Sequence, residues 1–539
     1  MGLVQSRPLR TVLGVLALAV VIAHGRAFGA TESLLWSLGS GTDGSNPYGG
    51  LIMDARGKLY GTTIGGGLYD ADFTTAEGGT VFELTRAADG GGNWTESVLW
   101  DFGNGADGQG PSAGLIIDAR GNLYGTTQIG GTHGAGTVFE LIPPATTGGS
   151  WAESILWSFG GNGDGLNPSA GLLMNARGAL YGTTEVGGAH GMGTVFELTP
   201  PATSGGSWSD AILWSFGQGT DGALPEAGLL MDTRGKLYGT TIVGGAYGAA
   251  GAGGTVFALT PPALSGGNWT EAIIWSFGNG ADGLYPRASL IMDDRGELYG
   301  VTTSGGVYGN GQFRAGGTVF KLTPDGKESV LWNFGNGTDG QAPEGGLIMG
   351  VRGSLYGTTY AGGIYSGGNS GGTVFEVSPA GNESVLWNFG DGTDGQAPSA
   401  GLIMDGRGKL LGTSNSGGIY TAGTVFAIAT AASAGAEIRM TPTHVVFPAT
   451  AIGDTSTAEL TVRNTGTATL SGTMATPSAP FGLRGSGSFA LPPKGETTLT
   501  LTFSPTATGN SRERGTVGSN AIGHGTIRVE LRGTGTTAP

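Results

Sequence analysis

The chain has 539 residues, of which 111 are glycine and none is cysteine, and its formal net charge is −15. Glycine at about three times its usual share of roughly 7%, with no strict triplet period, excludes collagen and favours a turn-dense all-β protein. The acidic balance, with only 26 lysines and arginines scattered along the chain, repels phosphate backbones and argues against a nucleic-acid partner; without cysteine there is no disulfide, no acylated anchor and no thiol nucleophile.

At the N-terminus Arg7 and Arg10 precede a mostly apolar run from Thr11 to Ala23, and small residues follow through Ala27-Phe28-Gly29-Ala30. This is the charged, apolar and cleavable order of a secretory signal peptide, too short to span ~30 Å of hydrocarbon comfortably. Residues 1–30 are therefore expected to direct export and be removed. The expected location is periplasmic or extracellular, with no membrane span after cleavage. The other end, Gly533 to Pro539, carries no hydrophobic tail for membrane retention.

Between these ends one pattern repeats. Leu-Tyr-Gly-Thr-Thr stands at Leu59, Leu123, Leu180, Leu237 and Leu355, with variants at Leu298 and Leu410. Each copy sits in an order of four strand-like runs, as in the unit from Gly114 to Phe159. A short apolar run, Gly114 to Asp118, turns through Ala119-Arg120-Gly121-Asn122 into Leu123 to Thr127. Thr137 to Leu141 and Ser154 to Phe159 follow. Four strands per unit at a period of 40 to 60 residues predict one propeller blade per unit. Ser33 to Leu38 precedes the first unit, while the last stops after Thr424 to Ile428 without an outer strand. The expected fold over 31–430 is a seven-bladed β-propeller closed by the N-terminal strand. The recurring tryptophans, such as Trp36 and Trp100, and phenylalanines, such as Phe82 and Phe139, are expected in the core between blades. The arginines of the first hairpin turn, such as Arg120, are expected to stabilise that turn.

Two loops of each unit are patterned and are expected on one face. The loop from outer to inner strand reads Gly-x-Gly-x-Asp-Gly-x-x-Pro in several copies and places Asp43, Asp107, Asp164, Asp221, Asp282, Asp339 and Asp394 equivalently. Oxygen ligands around a sharp glycine bend make these candidate ligands for weakly held calcium, with Asp-Gly turn chemistry as the competing reading. No other cofactor is expected. The loop between second and third strands carries Tyr69, His133, His190, Tyr247, Tyr308, Tyr365 and Tyr420 after paired glycines. Such rings stack on sugars, or else wedge between blades. His133 and His190, with Glu185 nearby in sequence, would need to converge for metal or acid–base chemistry. The motifs of serine hydrolases are absent.

From Ala431 to Gly435 the composition becomes Ala- and Ser-rich, which reads as a linker over 431–436. Beyond it, period-two runs such as Thr457 to Val462, Glu496 to Phe503 and Thr526 to Leu531 predict an immunoglobulin-like β-sandwich of about seven strands over 437–539. Met440-Thr441-Pro442, Val462 to Gly466 and Thr502 to Pro505 resemble the ASPM/SPD-2/Hydin (ASH) type of immunoglobulin-like domain, which implies a spacer or protein-contact module.

The repeated order Gly-Thr-Val-Phe-Glu-Leu, Leu-Trp-Ser-Phe-Gly, Asp-Gly-x-x-Pro, Gly-Leu-Ile-Met-Asp and Leu-Tyr-Gly-Thr-Thr resembles the bacterial GloVer tandem repeat of choice-of-anchor proteins. That resemblance implies an exported repeat protein with no reaction attached, and the missing sorting signal departs from anchored members. The expected function is a monomeric, non-catalytic binding protein that presents Gly-rich loops to a glycan or an extracellular protein. The rival readings are a propeller enzyme of lyase or glycosidase type and a purely structural surface protein.

Overall fold

The computed structural model describes residues 30–70, 78–86, 93–146, 148–161, 163–203, 205–248, 251–264, 266–309, 314–350, 352–365, 371–430, 436, 438–442, 444–466, 468–521 and 526–537. The segment before residue 30 expected to direct export, and residues 431–435 of the expected linker, lie outside them. Among the described residues the regular elements are strands, and no helix is long and apolar enough to cross a membrane.

The repeat forms seven four-stranded antiparallel sheets. In the second unit the strands are Ile116–Ile117, Leu123–Thr127, Thr137–Ile142 and Ala152–Ser158. The first strand has two residues where the apolar run suggested five, because Asp118 ends it. Its Oδ1 accepts the backbone N–H groups of Arg120 and Asn122 at 2.8 and 2.9 Å, which bends the chain into the hairpin. Arg120 thus serves the turn through its backbone, and its side chain is exposed.

Each letter of Leu-Tyr-Gly-Thr-Thr has a physical task. Leu123 is fully buried. The Tyr124 hydroxyl donates across the sheet to Glu140 Oε1 at 2.8 Å. A Cβ on Gly125 would sit 2.6 Å from Phe139 Cζ, so the phenyl ring fills the space a side chain would need. Thr126 Oγ1 donates to Ala170 O of the following unit at 3.2 Å, and Thr127 Oγ1 shares a hydrogen bond with Thr137 Oγ1 at 2.8 Å. Both hydroxyls are buried and satisfied, as buried polar groups must be. In the fifth unit Val301 replaces the first threonine, and Thr303 Oγ1 donates instead to Pro343 O at 3.4 Å.

The sheets are held together through seven apolar clusters, each bridging two consecutive units. The second unit meets the third through Tyr124, Val138 and Phe159 against Leu172, Leu180 and Phe196. Six such junctions carry a tilted pair of phenyl rings, for example Phe159 and Phe196 with centroids 5.0 Å apart; tilted pairs at this spacing add stability beyond area burial. The tryptophans, such as Trp157, line the same clusters. One cluster joins the last unit to the first, with Leu411, Val425 and Ala427 against Leu51, Leu59 and Phe82. At this junction Thr31–Ser37 pairs antiparallel with Thr424–Ala429 and completes the sheet of the last unit. Thr413 Oγ1 of the last unit also donates to Gly49 O, ahead of the first, at 3.4 Å.

The C-terminal region forms two sheets around a core of its own. One contains Ile438–Thr441, Ser456–Asn464, Phe481–Arg484 and Glu496–Phe503. The other includes Leu470–Met474, Ser488–Leu491, Gly509–Ser519 and Thr526–Thr536. Leu460, Leu501 and Phe503 of the first sheet meet Leu470, Val517 and Leu531 of the second. Ala436 is also buried in this core.

Removing residues 31–38 strips the last sheet of its outer strand and the last junction of Leu35 and Trp36. The melting temperature is expected to fall by roughly 10 °C or more. An unchanged calorimetric melt would show that this pairing contributes nothing to stability.

Candidate functional site

The seven loop aspartates share one arrangement. In each, Oδ1 accepts the N–H of the glycine four residues earlier, as Gly160 donates to Asp164 at 3.0 Å and Gly390 to Asp394 at 3.0 Å. In five of them Oδ2 accepts an indole N–H, as from Trp36 to Asp43 at 3.3 Å and Trp157 to Asp164 at 3.0 Å. Asp107 and Asp221 are the exceptions: their Oδ2 atoms, and Nε1 of Trp100 and Trp214, are buried without a hydrogen bond. The carboxylates are thus turned toward their own loops. Among the described residues no three His, Asp or Glu side chains are grouped to hold a metal ion.

A second carboxyl group faces each of these aspartates. On the outer strands Glu32, Glu96, Glu153, Asp210, Glu271, Glu328 and Glu383 occupy equivalent places, and each has a buried oxygen with no hydrogen-bond partner. Burial, and after it the charge of the preceding loop's aspartate, pushes Glu153 up to about 8 beside Asp107 and Glu383 up to about 8 beside Asp339. Glu32 is likewise pushed up to about 8 by burial and Asp394, with Lys409 opposing. The loss of hydration outweighs any compensation, so burial favours the protonated form of these groups.

The tyrosine and histidine loops rest on the aspartate loops of their own units. A Cβ on Gly160 would lie 3.0 Å from His133 Cβ, and one on Gly390 would lie 3.2 Å from Tyr365 Cβ. His133 and His190 are exposed, and Tyr69, Tyr247, Tyr308 and Tyr420 are about half exposed. Tyr365 is the more covered one, and its hydroxyl donates to Asp391 Oδ2 at 3.3 Å.

A further set converges that the sequence reading did not single out. The residue after the loop proline is Tyr48, Ser112, Ser169, Glu226, Arg287, Glu344 or Ser399. Two positions beyond it stands a glycine or Ser289. A Cβ on Gly114 would lie 3.0 Å from Gly50 O, one on Gly171 would lie 3.5 Å from Gly114 O, and one on Gly50 would lie 3.6 Å from Gly401 O. The backbones of successive units, and of the last and first, therefore lie in van der Waals contact at this place, which small residues occupy. Side chains from distant loops meet beside this junction. Arg287 Nη2 pairs with Glu226 Oε2 at 2.6 Å. Arg314 Nε pairs with Glu344 Oε1 at 2.7 Å, and its guanidinium lies 3.8 Å from the centre of the Tyr360 ring. The Tyr48 hydroxyl is pushed up to about 12, first by burial and then by Glu344, with Arg287 and Arg314 opposing. Glu226 is raised by burial, with Arg287 opposing and Glu185 and Glu344 adding to the rise. Ser112 Oγ, Ser169 Oγ, Ser399 Oγ, Glu344 Oε2 and Asn415 Oδ1 are buried without partners. A signal was present in the sequence: this is a variable place between the fixed proline and the small residue.

These features define an all-β tandem-repeat protein with a partly buried polar cluster among its loops. The chain belongs to the Gloeobacter/Verrucomicrobia repeat family, whose model matches residues 26–246, 145–314 and 308–537. No curated protein matches it. Among solved structures it is similar to an ASH/PapD-like domain of human CEP192, at 22% identity over 19% of this chain and 87% of that one, with a TM-score of 0.18. It is also similar to the extracellular domain of a hybrid two component system from B. thetaiotaomicron, at 11% identity over 94% of this chain and 57% of that one, with a TM-score of 0.43. A protein of unknown function from Porphyromonas gingivalis is similar at 17% identity over 19% of this chain and 48% of that one, with a TM-score of 0.17.

Two outcomes follow from the carboxyl groups. Asp164→Ala would leave the Trp157 indole N–H and the Gly160 N–H unpaired, and is expected to cost about 2–4 kcal/mol in denaturant unfolding. Added millimolar calcium is expected to leave the wild-type melt unchanged; a calcium-dependent rise would support the cation reading. The folded-state value of Glu153 lies above the ordinary 4.5, so its protonation favours the folded state. That contribution is fully present below pH 4.5 and is lost as the pH rises to about 8. Glu153→Gln is accordingly expected to stabilise the protein by roughly 1–2 kcal/mol at pH 8 and not at pH 4.5. Equal effects at both pH values would show that Glu153 does not titrate as stated.

Proposed function

We propose that the seven sheets are blades of one β-propeller, closed by the pairing of Thr31–Ser37 into the last sheet. The C-terminal sheets are read as an immunoglobulin-like sandwich of ASPM/SPD-2/Hydin type. The unbroken succession of junctions from each unit to the next, and from the last to the first, supports the closed reading. Residues 1–30 direct export, and the mature chain acts outside the cytoplasm as a monomeric, non-catalytic glycan-binding protein.

One observation carries the binding reading. The Phe and Trp side chains repeated along the strands are enclosed in the clusters between sheets, yet Tyr69, Tyr247, Tyr308 and Tyr420 are 47%, 50%, 48% and 50% exposed. Beside them Leu68, Val307 and Ile419 are more than 60% exposed. Aromatic faces presented on one set of loops suit stacking against the apolar faces of sugar rings, with the tyrosine hydroxyls free to meet sugar hydroxyls. An acid–base enzyme is less well supported, because Glu226 and Glu344 are each neutralised by an arginine rather than set apart in two protonation states.

A glycan array identifies the ligand, and titration calorimetry with Tyr308→Ala and Tyr420→Ala tests the surface. Each variant is expected to lower affinity about tenfold with the melting temperature changed by no more than about 2 °C. Loss of folding with unaltered affinity in the remaining folded protein would assign these rings to packing between blades.

A further inference from the structure

We propose that the polar cluster around Glu226, Arg287, Arg314 and Glu344 is a second binding element, a seat for one uncharged sugar residue of the glycan. The inference rests on the loop face being the ligand face, and adds where a sugar is read by hydrogen bonding rather than by stacking.

Position is the first observation. The small residues from Gly50 to Gly401 bring all seven units together, and the side chains two places earlier differ from unit to unit. Most other repeated positions keep one residue type in nearly every copy, whereas these do not. A ligand placed there would meet three serines, two glutamates, an arginine and a tyrosine. Their diversity is unnecessary for packing, since Ser, Glu, Arg and Tyr all occupy the same place.

The unused hydrogen-bonding capacity is the second. Glu344 is 8% exposed and its Oε1 is taken by Arg314, while its Oε2 has no partner. Ser112 and Ser399 are each 6% exposed, and their hydroxyls are also without partners, as is Asn415 Oδ1. Buried polar groups left unmet are destabilising. Glu344 Oε2 and Asn415 Oδ1 can only accept, so the missing group must donate; the serine hydroxyls take either role.

Charge selects the class of ligand. Both arginines already hold carboxylates at 2.6 and 2.7 Å, so a carboxylated or phosphorylated ligand would have to displace a buried glutamate and would offer Glu344 Oε2 no hydrogen. A cation would compete with Arg314 for the same carboxylate. A sugar hydroxyl donates and accepts without net charge, and so satisfies the open atoms while leaving both ion pairs intact.

The test is calorimetric titration of the full chain with a neutral oligosaccharide from the array, a uronic-acid oligosaccharide and free phosphate. The wild type is compared with Ser112→Ala, Ser399→Ala, Glu344→Gln and Tyr308→Ala, with melts recorded for each. The neutral sugar is expected to bind, and Ser112→Ala and Ser399→Ala are expected to weaken it about five- to tenfold with unchanged melts. Glu344→Gln should weaken it further, and the serine variants keep the test valid if that protein fails to fold. Unaltered affinity in both serine variants, with loss in Tyr308→Ala, overturns the seat and leaves the tyrosine surface standing; those open atoms then hold water only. Loss in the serine variants with no effect of Tyr308→Ala supports the seat and removes the tyrosine surface. Tighter binding of the uronic-acid ligand or phosphate overturns the neutral assignment. Heat from none of the ligands overturns the seat and the glycan reading together.

Discussion

A four-stranded sheet whose first strand has two residues cannot cover both of its faces, and nearly everything else in the repeat follows from that deficit. Phe159 of one unit reaches Phe196 of the next because neither is enclosed by its own sheet. Room for that reach is made inside the unit. Gly125 lacks a side chain where Phe139 lies, and Thr126 carries its hydrogen bond across to the neighbouring backbone. The repeat is therefore specified less by strand propensity than by what two adjacent sheets must exchange.

The same exchange explains the polar residues that looked most like ligands. In five of the seven loops the aspartate ties a tryptophan of the outer strand to the glycine that opens the loop, and in the other two it holds the glycine alone. Opposite it stands a carboxyl group whose protonated form burial favours. Two acidic groups at each junction are compatible because only one needs to carry charge, and this bounds the pH range in which the assembly is most stable.

Much of the architecture was legible because it is written seven times. The four strands per unit, their order, the apolar faces and the orphan strand at Ser33 to Leu38 could all be read from spacing. What escaped was local or irregular. The apolar run through Leu115, Ile116 and Ile117 suggests a longer first strand than forms, and only the Asp118 hydrogen bonds reveal where pairing stops. Gly509–Ser519, an eleven-residue strand, was not picked out because its arginines and glycines hide the alternation that Gly515 and Val517 bury. The candidate site was less legible still. Attention fell on residues that repeat, such as Asp164 and Tyr308, whereas Glu226, Arg287 and Glu344 stand where the repeat departs from itself. Their convergence depends on contacts between loops far apart in sequence, which no single unit encodes.

The strand Thr31–Ser37 has a temporal consequence. Its partner, Thr424–Ala429, is nearly the last part of the repeat to be made, and Ile419 N–H reaches Ser37 Oγ across 382 residues. Until that partner is in place the first strand's edge groups are unpaired, and the pairing bears the entropy of a very long loop. The short strand edge exposed meanwhile is a natural place for another copy to insert. Because six junctions can form before the seventh, that entropy need not be lost at once, and a nearly complete array brings the two strands close before they pair.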